Sequence, residues 1–443
     1  MQTSLSMTNI LKSRFEQIID SSQWLDLLLT GKFYDFEQQL HQLIYELYDL
    51  ICYGMITSVS EREEFVERQK AVAADLGLKK LESRMATVQL RTGTKIRYES
   101  LYAKQAPVSY ESTRHLSQVI WKVNGSASPM YQGISCLFSV LCPSFSVAQS
   151  LMKYSDIGGH TDRIRQVSLS LAEQGLANRT TVQLSAEDTL ADKRVVIAID
   201  GGRTRTRVYT EDKKGRDEKF STPWREPKML VISTCDAAGK MNQEMTPIYD
   251  ATYGDDEIFA LLADYLRHLE IEKCRSVQLV ADGAPWIWNR GKSTLLDLGV
   301  AEEKIIETLD YYHAIEHLTA MKVYFEPTEQ ESCYKKLKAA LWQGDFSQMK
   351  TIIQSGISDI DIDDFSPFKY FKKQQNRIDY QGIRAKKLPC GSGLVESAIR
   401  RIINLRFKSP SSFWYPENAE KLMFMRGVAL SGRWGNMMDN LFS

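Results

Sequence analysis

Arg194-Val-Val-Ile-Ala-Ile-Asp200-Gly-Gly-Arg203 is the stretch on which the fold turns. An unbroken, largely β-branched apolar run leads to a single carboxylate and then to two glycines. A run this short, closed by glycine, reads as a buried strand whose last residue is an acid at the sheet edge, with a tight turn behind it. The pattern recurs in Ser276-Val-Gln-Leu-Val-Ala-Asp282-Gly283, a second apolar strand ending in Asp-Gly. A third acid, Glu396, opens a helix in Gly391-Ser-Gly-Leu-Val-Glu396-Ser-Ala-Ile-Arg400-Arg401. Acids delivered from separate elements to one end of a sheet make an oxygen-rich site suited to Mg²⁺, which takes one or two carboxylates and keeps several waters. One strand-end Asp says little, because many only cap turns. Two such runs together with the Glu segment say more.

Outward from that stretch the chain reads as α/β. Arg203-Thr-Arg-Thr-Arg-Val-Tyr209 alternates arginine with smaller residues, as a strand with one basic face would. A further strand at 226–234 follows the turn Asp212-Lys-Lys-Gly-Arg, so three consecutive strands predict an antiparallel meander. An amphipathic helix over 255–272 precedes the Asp282 strand; a helix at 291–298, a strand at 304–310 and a helix at 311–325 come after it. The order β-β-β-α-β-α-β-α gives a mixed sheet with helices on its faces. Residues 328–385 are charged and helical, and read as an insertion between the second Asp and the Glu. The Glu396 helix runs to Phe407, and the tail carries Trp414, Arg426, Arg433 and Trp434.

The N-terminal half has a different character. Residues 1–82 show apolar positions at helical spacing, with the charge run 61–70 as a solvated face. Residues 83–104 change to a strand period and predict a hairpin, basic at Arg91, Lys95 and Arg97, that either touches a phosphate backbone or is simply solvated. The region 83–127 is this hairpin and a connector. Residues 128–193 hold a helix from Ser144, a Gly-containing turn, a second helix from His160, and a linker at 177–193. The helices fit either a helix-turn-helix or a plain helical hairpin. In the first reading Thr161, Arg163, Arg165 and Gln166 lie where base edges are read. The catalytic part is then 194–327 and 386–443, split by 328–385.

A chain of 443 residues predicts several domains. Lys+Arg and Asp+Glu both number 56, so overall charge lends no support to nucleic-acid binding and local charge has to carry it. The seven cysteines are scattered without a C-x-x-C pair, which favours a reducing cytoplasm over a disulfide framework. Cys136, Cys142 and His160 make a poor zinc set, since zinc ligands come as close pairs. No apolar run reaches the roughly 18–20 residues of a membrane span, and the N-terminus has no signal-peptide core.

The residues suggest a chemistry. Phosphodiester cleavage needs an activated oxygen nucleophile, a stabilised leaving oxygen and neutralised phosphate charge, and two Mg²⁺ ions supply all three. Asp200, Asp282 and Glu396 are the candidate metal ligands. Gly201, Gly202 and Gly283 would let DNA or metal approach the backbone, and Arg203, Arg205 and Arg207 are ready phosphate partners. Asp310-Tyr-Tyr-His313 sits at a strand-to-helix junction. There His313 either positions a phosphate or moves a proton, or else Asp310 caps the helix and His313 packs beneath it. Trp286 and Trp288 either stack on a displaced base or fill the core.

Four segments, Ile-Asp200-Gly-Gly-Arg, Val-Ala-Asp282-Gly-Ala-Pro-Trp-Ile-Trp, Leu-Asp310-Tyr-Tyr-His313-Ala-Ile-Glu-His-Leu and Gly391-Ser-Gly-Leu-Val-Glu396-Ser, resemble in sequence and order bacterial insertion-sequence transposases of the DDE class, nearest the ISKra-type branch. The resemblance covers roughly residues 190–435. It implies an RNase H-like core with a helical insertion, an Asp200/Asp282/Glu396 triad on Mg²⁺ (with Mn²⁺ as a substitute), and an accompanying role for Asp310 and His313. It also implies double-stranded DNA as partner, both element ends and target, a homodimer or larger assembly on that DNA, no membrane, and a place in the bacterial cytoplasm at the nucleoid. The chain departs from the branch after the hairpin, where a cysteine-rich zinc segment is missing. The basic residues after the Glu segment are also offset, to Arg400 and Arg401. A non-catalytic DNA-binding descendant and a metal-dependent nuclease of the same core are the alternatives.

Overall fold

The computed structural model describes residues 9–10, 12–16, 21–104, 113–209, 220–357, 361–362, 365–409 and 412–443. The turn expected at Asp212–Arg216 and part of the first expected helix lie outside them. Contacts gather the chain into two units, residues 1–171 and 172–441.

In the first unit, helices Ser21–Leu29, Phe33–Ser60 and Glu63–Asp75 precede a hairpin of β1 (Lys80–Gln89) and β2 (Lys95–Lys104), with β3 (Thr113–His115) on the outer side of β2. Alternation sends Ala86, Val88, Ile96 and Tyr98 to one buried face, against Cys52 and Ile56 of the long helix. Phe65 stacks on Trp121 with ring centroids 4.9 Å apart. Helices Pro129–Leu141 and Phe145–Tyr154 follow, each started by a serine, Ser128 or Ser144, whose hydroxyl accepts from a first-turn N–H. Helix Thr161–Ala177 completes a small core around Tyr131, Met152, Ile164 and Val167.

The second unit is a mixed α/β structure. Its sheet comprises β4 (Arg194–Gly201), β5 (Pro227–Cys235), β6 (Ile248–Tyr253), β7 (Ser276–Ala281) and β8 (Ile305–Leu309), in the spatial order β6-β5-β4-β7-β8. β5 runs antiparallel to β4 and β6; β7 runs parallel to β4 and β8. The expected meander needs correcting. Residues 203–209 leave the sheet after Gly202; the antiparallel neighbour of β4 is β5, and β6, a strand the sequence reading passed over, pairs antiparallel with β5. The 203–209 stretch lacks apolar alternation, so it has no face to bury on a sheet covered from both sides.

The two faces of the sheet have different covers. Val195, Ile197 and Ile199 point into the large core beneath helix Asp255–His268, which also takes in Leu337, Met349, Phe368 and Tyr380 of the 328–385 segment. Val196 and Val280 face the other way, under Ile383, Leu388 and Leu394. That second cover leads directly into the Glu396 helix, which is α-helical over Gly393–Ala398, π-helical over Ile399–Asn404 and α-helical again to Phe407. The segment expected as a linker, 177–193, is tied down instead, its first residue ending helix Thr161–Ala177. Arg179 pairs with Asp250 and Glu420, Leu190 is fully buried, and Asp188 pairs with the buried Arg433 at 2.6 Å. No helix among the described residues is long and apolar enough to cross a membrane.

Candidate functional site

Register places the acids. Val280 of β7 lies opposite Ala198 of β4 on one side and Thr308 of β8 on the other. Two residues further along each strand come Asp200, Asp282 and Asp310. The side-chain period of two therefore carries three carboxylates to the carboxyl ends of three neighbouring parallel strands, on the face shared by Val196 and Val280. The backbone N–H of Asp310 still reaches the carbonyl of Ala281, at 2.8 Å, so the pairing persists to the acids themselves.

Each acid is held differently. Asp200 Oδ1 accepts from the Gly201 N–H at 2.6 Å. Asp282 Oδ1 accepts from the Ala284 N–H at 2.9 Å, and its carbonyl accepts from Trp288 Nε1 at 2.7 Å. Asp310 is fully buried and fully engaged. Its Oδ1 accepts from the N–H groups of Tyr312, at 2.7 Å, and His313, at 3.4 Å, and its Oδ2 accepts from both the N–H and the hydroxyl of Ser392. The Tyr311 N–H donates to the Cys390 carbonyl at 3.0 Å, and Gln278 Nε2 donates to the Pro389 carbonyl at 2.8 Å. The turn that launches the Glu396 helix is thus bonded to β7 and to the start of helix Tyr311–Met321. Asp310 caps that helix, as one of its two readings expected, and also latches it to the Glu segment.

The electrostatics bring the group together. Burial pushes the Asp200 carboxyl up to about 6; the negative charges of Asp282 and Glu396 add to the rise, while the Gly201 N–H and His313 oppose it. Among the described residues, Asp310, His313 and Glu396 offer ligand atoms that all lie within 4.8 Å of one another. Asp200 and Asp282 stand outside that tight group. The trio with the closest donor atoms therefore differs from the triad expected from the sequence. With four hydrogen bonds on Asp310, Glu396 and His313 are the members with donor capacity to spare. His313 Nδ1 lies 3.4 Å from Glu316 Oε2.

The glycines beside the acids do not leave open space. A Cβ on Gly201 would meet Glu226 Oε1, one on Gly202 would stand 2.6 Å from Ile403 Cδ1, and one on Gly283 would meet the Tyr370 ring. They admit this chain's own side chains rather than a ligand. Trp288 is 8% exposed and belongs to the core, and Trp286 packs edge-on to Phe259 with the Lys228 ammonium 4.0 Å from its centroid. Core packing is the reading these tryptophans take.

The arginines divide. Arg203 and Arg205 are exposed and Arg207 is half-buried. Arg400 is exposed; Arg401 donates to the Tyr249 hydroxyl at 3.2 Å and lies over that ring. In the first unit Thr161 donates to Gln149, and Arg163 donates to the Gly125 carbonyl and to Ser126 Oγ at 3.1 Å. Those two side chains brace their own unit. Arg165, 3.2 Å from Asp162, and Gln166 are exposed. Cys136 is buried and turns its thiol to the Ser168 carbonyl.

Two contributors escaped the sequence reading. Ser392 latches Asp310, and Tyr370, from the 328–385 segment, covers Gly283 with its ring stacked on His317 at 3.7 Å. Burial, then the charges of Asp282 and Asp310, push the Tyr370 phenol up, so it remains a proton donor. Comparison with protein-family models and with curated proteins gives no match for this chain.

Proposed function

We propose that the chain is a DNA transposase of the DDE class, with an RNase H-like catalytic core, that binds the terminal inverted repeats of an insertion sequence and performs Mg²⁺-dependent cleavage and strand transfer. The observation that carries this reading is the register of β4 and β7. Adjacent parallel strands bring Asp200 and Asp282 side by side, with Glu396 close enough to raise the Asp200 pKa. The strand order β6-β5-β4-β7-β8, numbered 3-2-1-4-5 along the sheet, supports the reading of an RNase H-like core, and the helices of 328–385, between Asp282 and Glu396 in the chain, are read as its insertion.

The donor set suits a hard dication. It is carboxylate oxygen with one imidazole, and burial, helped by the charges of Asp282 and Glu396, disfavours the ionised Asp200 carboxylate, which a bound cation would relieve. Asp200, Asp282 and Glu396 would hold the ion, or Mn²⁺ in its place. Bound there, it would lower the pKa of an attacking water and neutralise phosphate charge. The chain's own groups do the rest. Asp310 and Ser392 fix the Glu396 helix against β8. His313, with Nδ1 turned to Glu316, leaves Nε2 for the site, an acceptor in the neutral ring and a donor to a phosphate oxygen only when the ring is doubly protonated. Arg203 and Arg205 extend from the end of β4 as phosphate partners. The helices between 144 and 174 remain the proposed reader of the repeats, with Arg165 and Gln166 among the exposed side chains there. Two DNA ends require a dimer or larger assembly.

Strand transfer tests the reading. A labelled duplex ending in the inverted repeat that flanks the coding sequence, with a free 3′-hydroxyl, is incubated with a supercoiled plasmid and Mg²⁺. Covalent joining by wild type and not by Asp282→Asn is expected. Cleavage without joining would replace the transposase with a nuclease, and binding without either would leave a non-catalytic DNA-binding protein.

A further inference from the structure

We propose that a ledge of arginine and aromatic side chains, built beyond the end of β4, binds unpaired nucleotides of a DNA strand next to the Asp200 site. The proposal rests on the DNA reading above and deepens it. After Gly202 the chain leaves the sheet and makes two short antiparallel pairings, Thr204–Arg205 with Trp224–Arg225 and Val208–Tyr209 with Phe220–Ser221. A third strand joins from beyond the Glu396 helix. The Arg207 N–H donates to the Trp414 carbonyl at 2.8 Å, and the Trp414 N–H donates to the Arg205 carbonyl at 3.1 Å. The ledge therefore begins three residues past Asp200 and is closed by the chain that follows Glu396.

Its surface combines exposed rings with arginines. Trp224 is 54% exposed, and Phe220 and Tyr415 are each 38% exposed. The Arg205 guanidinium lies 5.0 Å from the Trp224 centroid, and that of Arg207 lies 4.4 Å from Phe220 and 6.0 Å from Tyr415. Residues 203–209, 220–225 and 412–415 carry Arg203, Arg205, Arg207 and Arg225 and no acid, in a chain whose net charge is zero. A guanidinium stacked on a ring keeps its in-plane N–H donors for phosphate oxygens. The exposed ring faces stack on bases without regard to sequence, and stacking needs bases that are not already stacked in a duplex. An apolar protein partner would leave four arginines without counter-charge.

The test uses full-length protein, a fluorescent single-stranded 20-mer and the duplex of the same mixed sequence, read by anisotropy at two salt concentrations. Trp224→Leu is expected to weaken single-strand binding about tenfold and duplex binding less than twofold, and Trp224→Phe to restore most of it. Arg205→Ala is expected to weaken both and flatten the salt dependence. Leu fills space but does not stack, so the Leu/Phe contrast separates stacking from folding. Equal single-strand affinity in wild type and Trp224→Leu overturns the ledge, as does a Trp224→Leu protein altered only in oligomeric mass. A wild type that binds neither probe instead overturns the DNA reading on which the ledge rests.

Discussion

Asp200 is a carboxylate kept partly protonated by its surroundings. Its pKa of about 6 lies above its ordinary 3.8, so the fold favours the neutral acid. That contribution to stability is fully present below about pH 4 and is lost as pH rises through 6. At neutral pH the metal-free protein therefore carries an ion it would rather not have, and Asp200→Asn should stabilise it by about 1–2 kcal/mol at pH 7.5 but not at pH 4, as measured by denaturant unfolding in EDTA. No difference between the two pH values would mean that Asp200 is not crowded. By the same linkage, a cation competes with the proton. The rise in Tm given by Mg²⁺ should be large at pH 7.5 and fade below pH 6. Ser392→Ala removes one of two donors to Asp310 Oδ2 and should cost about tenfold in Mn²⁺ affinity while leaving Tm within a few degrees. The three acids were legible in the sequence because each ends an apolar run or opens a helix, where position is set by the backbone. Ser392 was not, because a loop serine shows no partner until the fold brings Asp310 to it.

At the scale of elements, the sheet was readable wherever a strand is apolar on both faces, as β4, β5 and β7 are. β6, Ile248-Tyr-Asp-Ala-Thr-Tyr253, is short and carries a charge in its middle, and the burial of Asp250 rests on its pairing with Arg179, with the Tyr265 hydroxyl as a further donor. Nothing local announces that distant partner. Residues 203–209 presented a strand's alternation, and they do pair, but as a ledge outside the sheet. The π-helical stretch Ile399–Asn404 follows Glu396 within one turn and seats Ile403 over Gly202, a packing that sequence periodicity does not encode. Helix Pro416–Ser431 lies so close to β6 that a Cβ on Gly427 would stand 2.5 Å from the Tyr249 carbonyl oxygen. Backbone cannot yield as a side chain does, so Gly427→Ala should destabilise by about 2–3 kcal/mol in chemical denaturation. A neutral result would mean that the helix and β6 are not packed this tightly.

In the molecule as a whole, the second unit is closed by ions rather than by apolar contact alone. Arg433 is 1% exposed and bonds Asp188 together with the carbonyls of Pro247 and Thr246, so the tail holds the segment that enters the sheet. Arg433→Ala strands a buried carboxylate and should cost about 3–5 kcal/mol, with much of it returned by adding Asp188→Asn. The first unit's role was the least legible part of the sequence, since a helical pair with basic residues serves packing and DNA alike, and Thr161 and Arg163 turn out to serve packing. The central claim is that Asp200, Asp282 and Glu396 form one metal-dependent phosphodiester site. Its most direct test is cleavage of a labelled duplex carrying the element end, in Mg²⁺ or Mn²⁺, by wild type and by Glu396→Gln, with DNA binding measured on both. The account predicts cleavage by wild type, its loss by at least a thousandfold in the variant, about 4 kcal/mol of barrier, and unchanged binding. Equal cleavage by both proteins would contradict it.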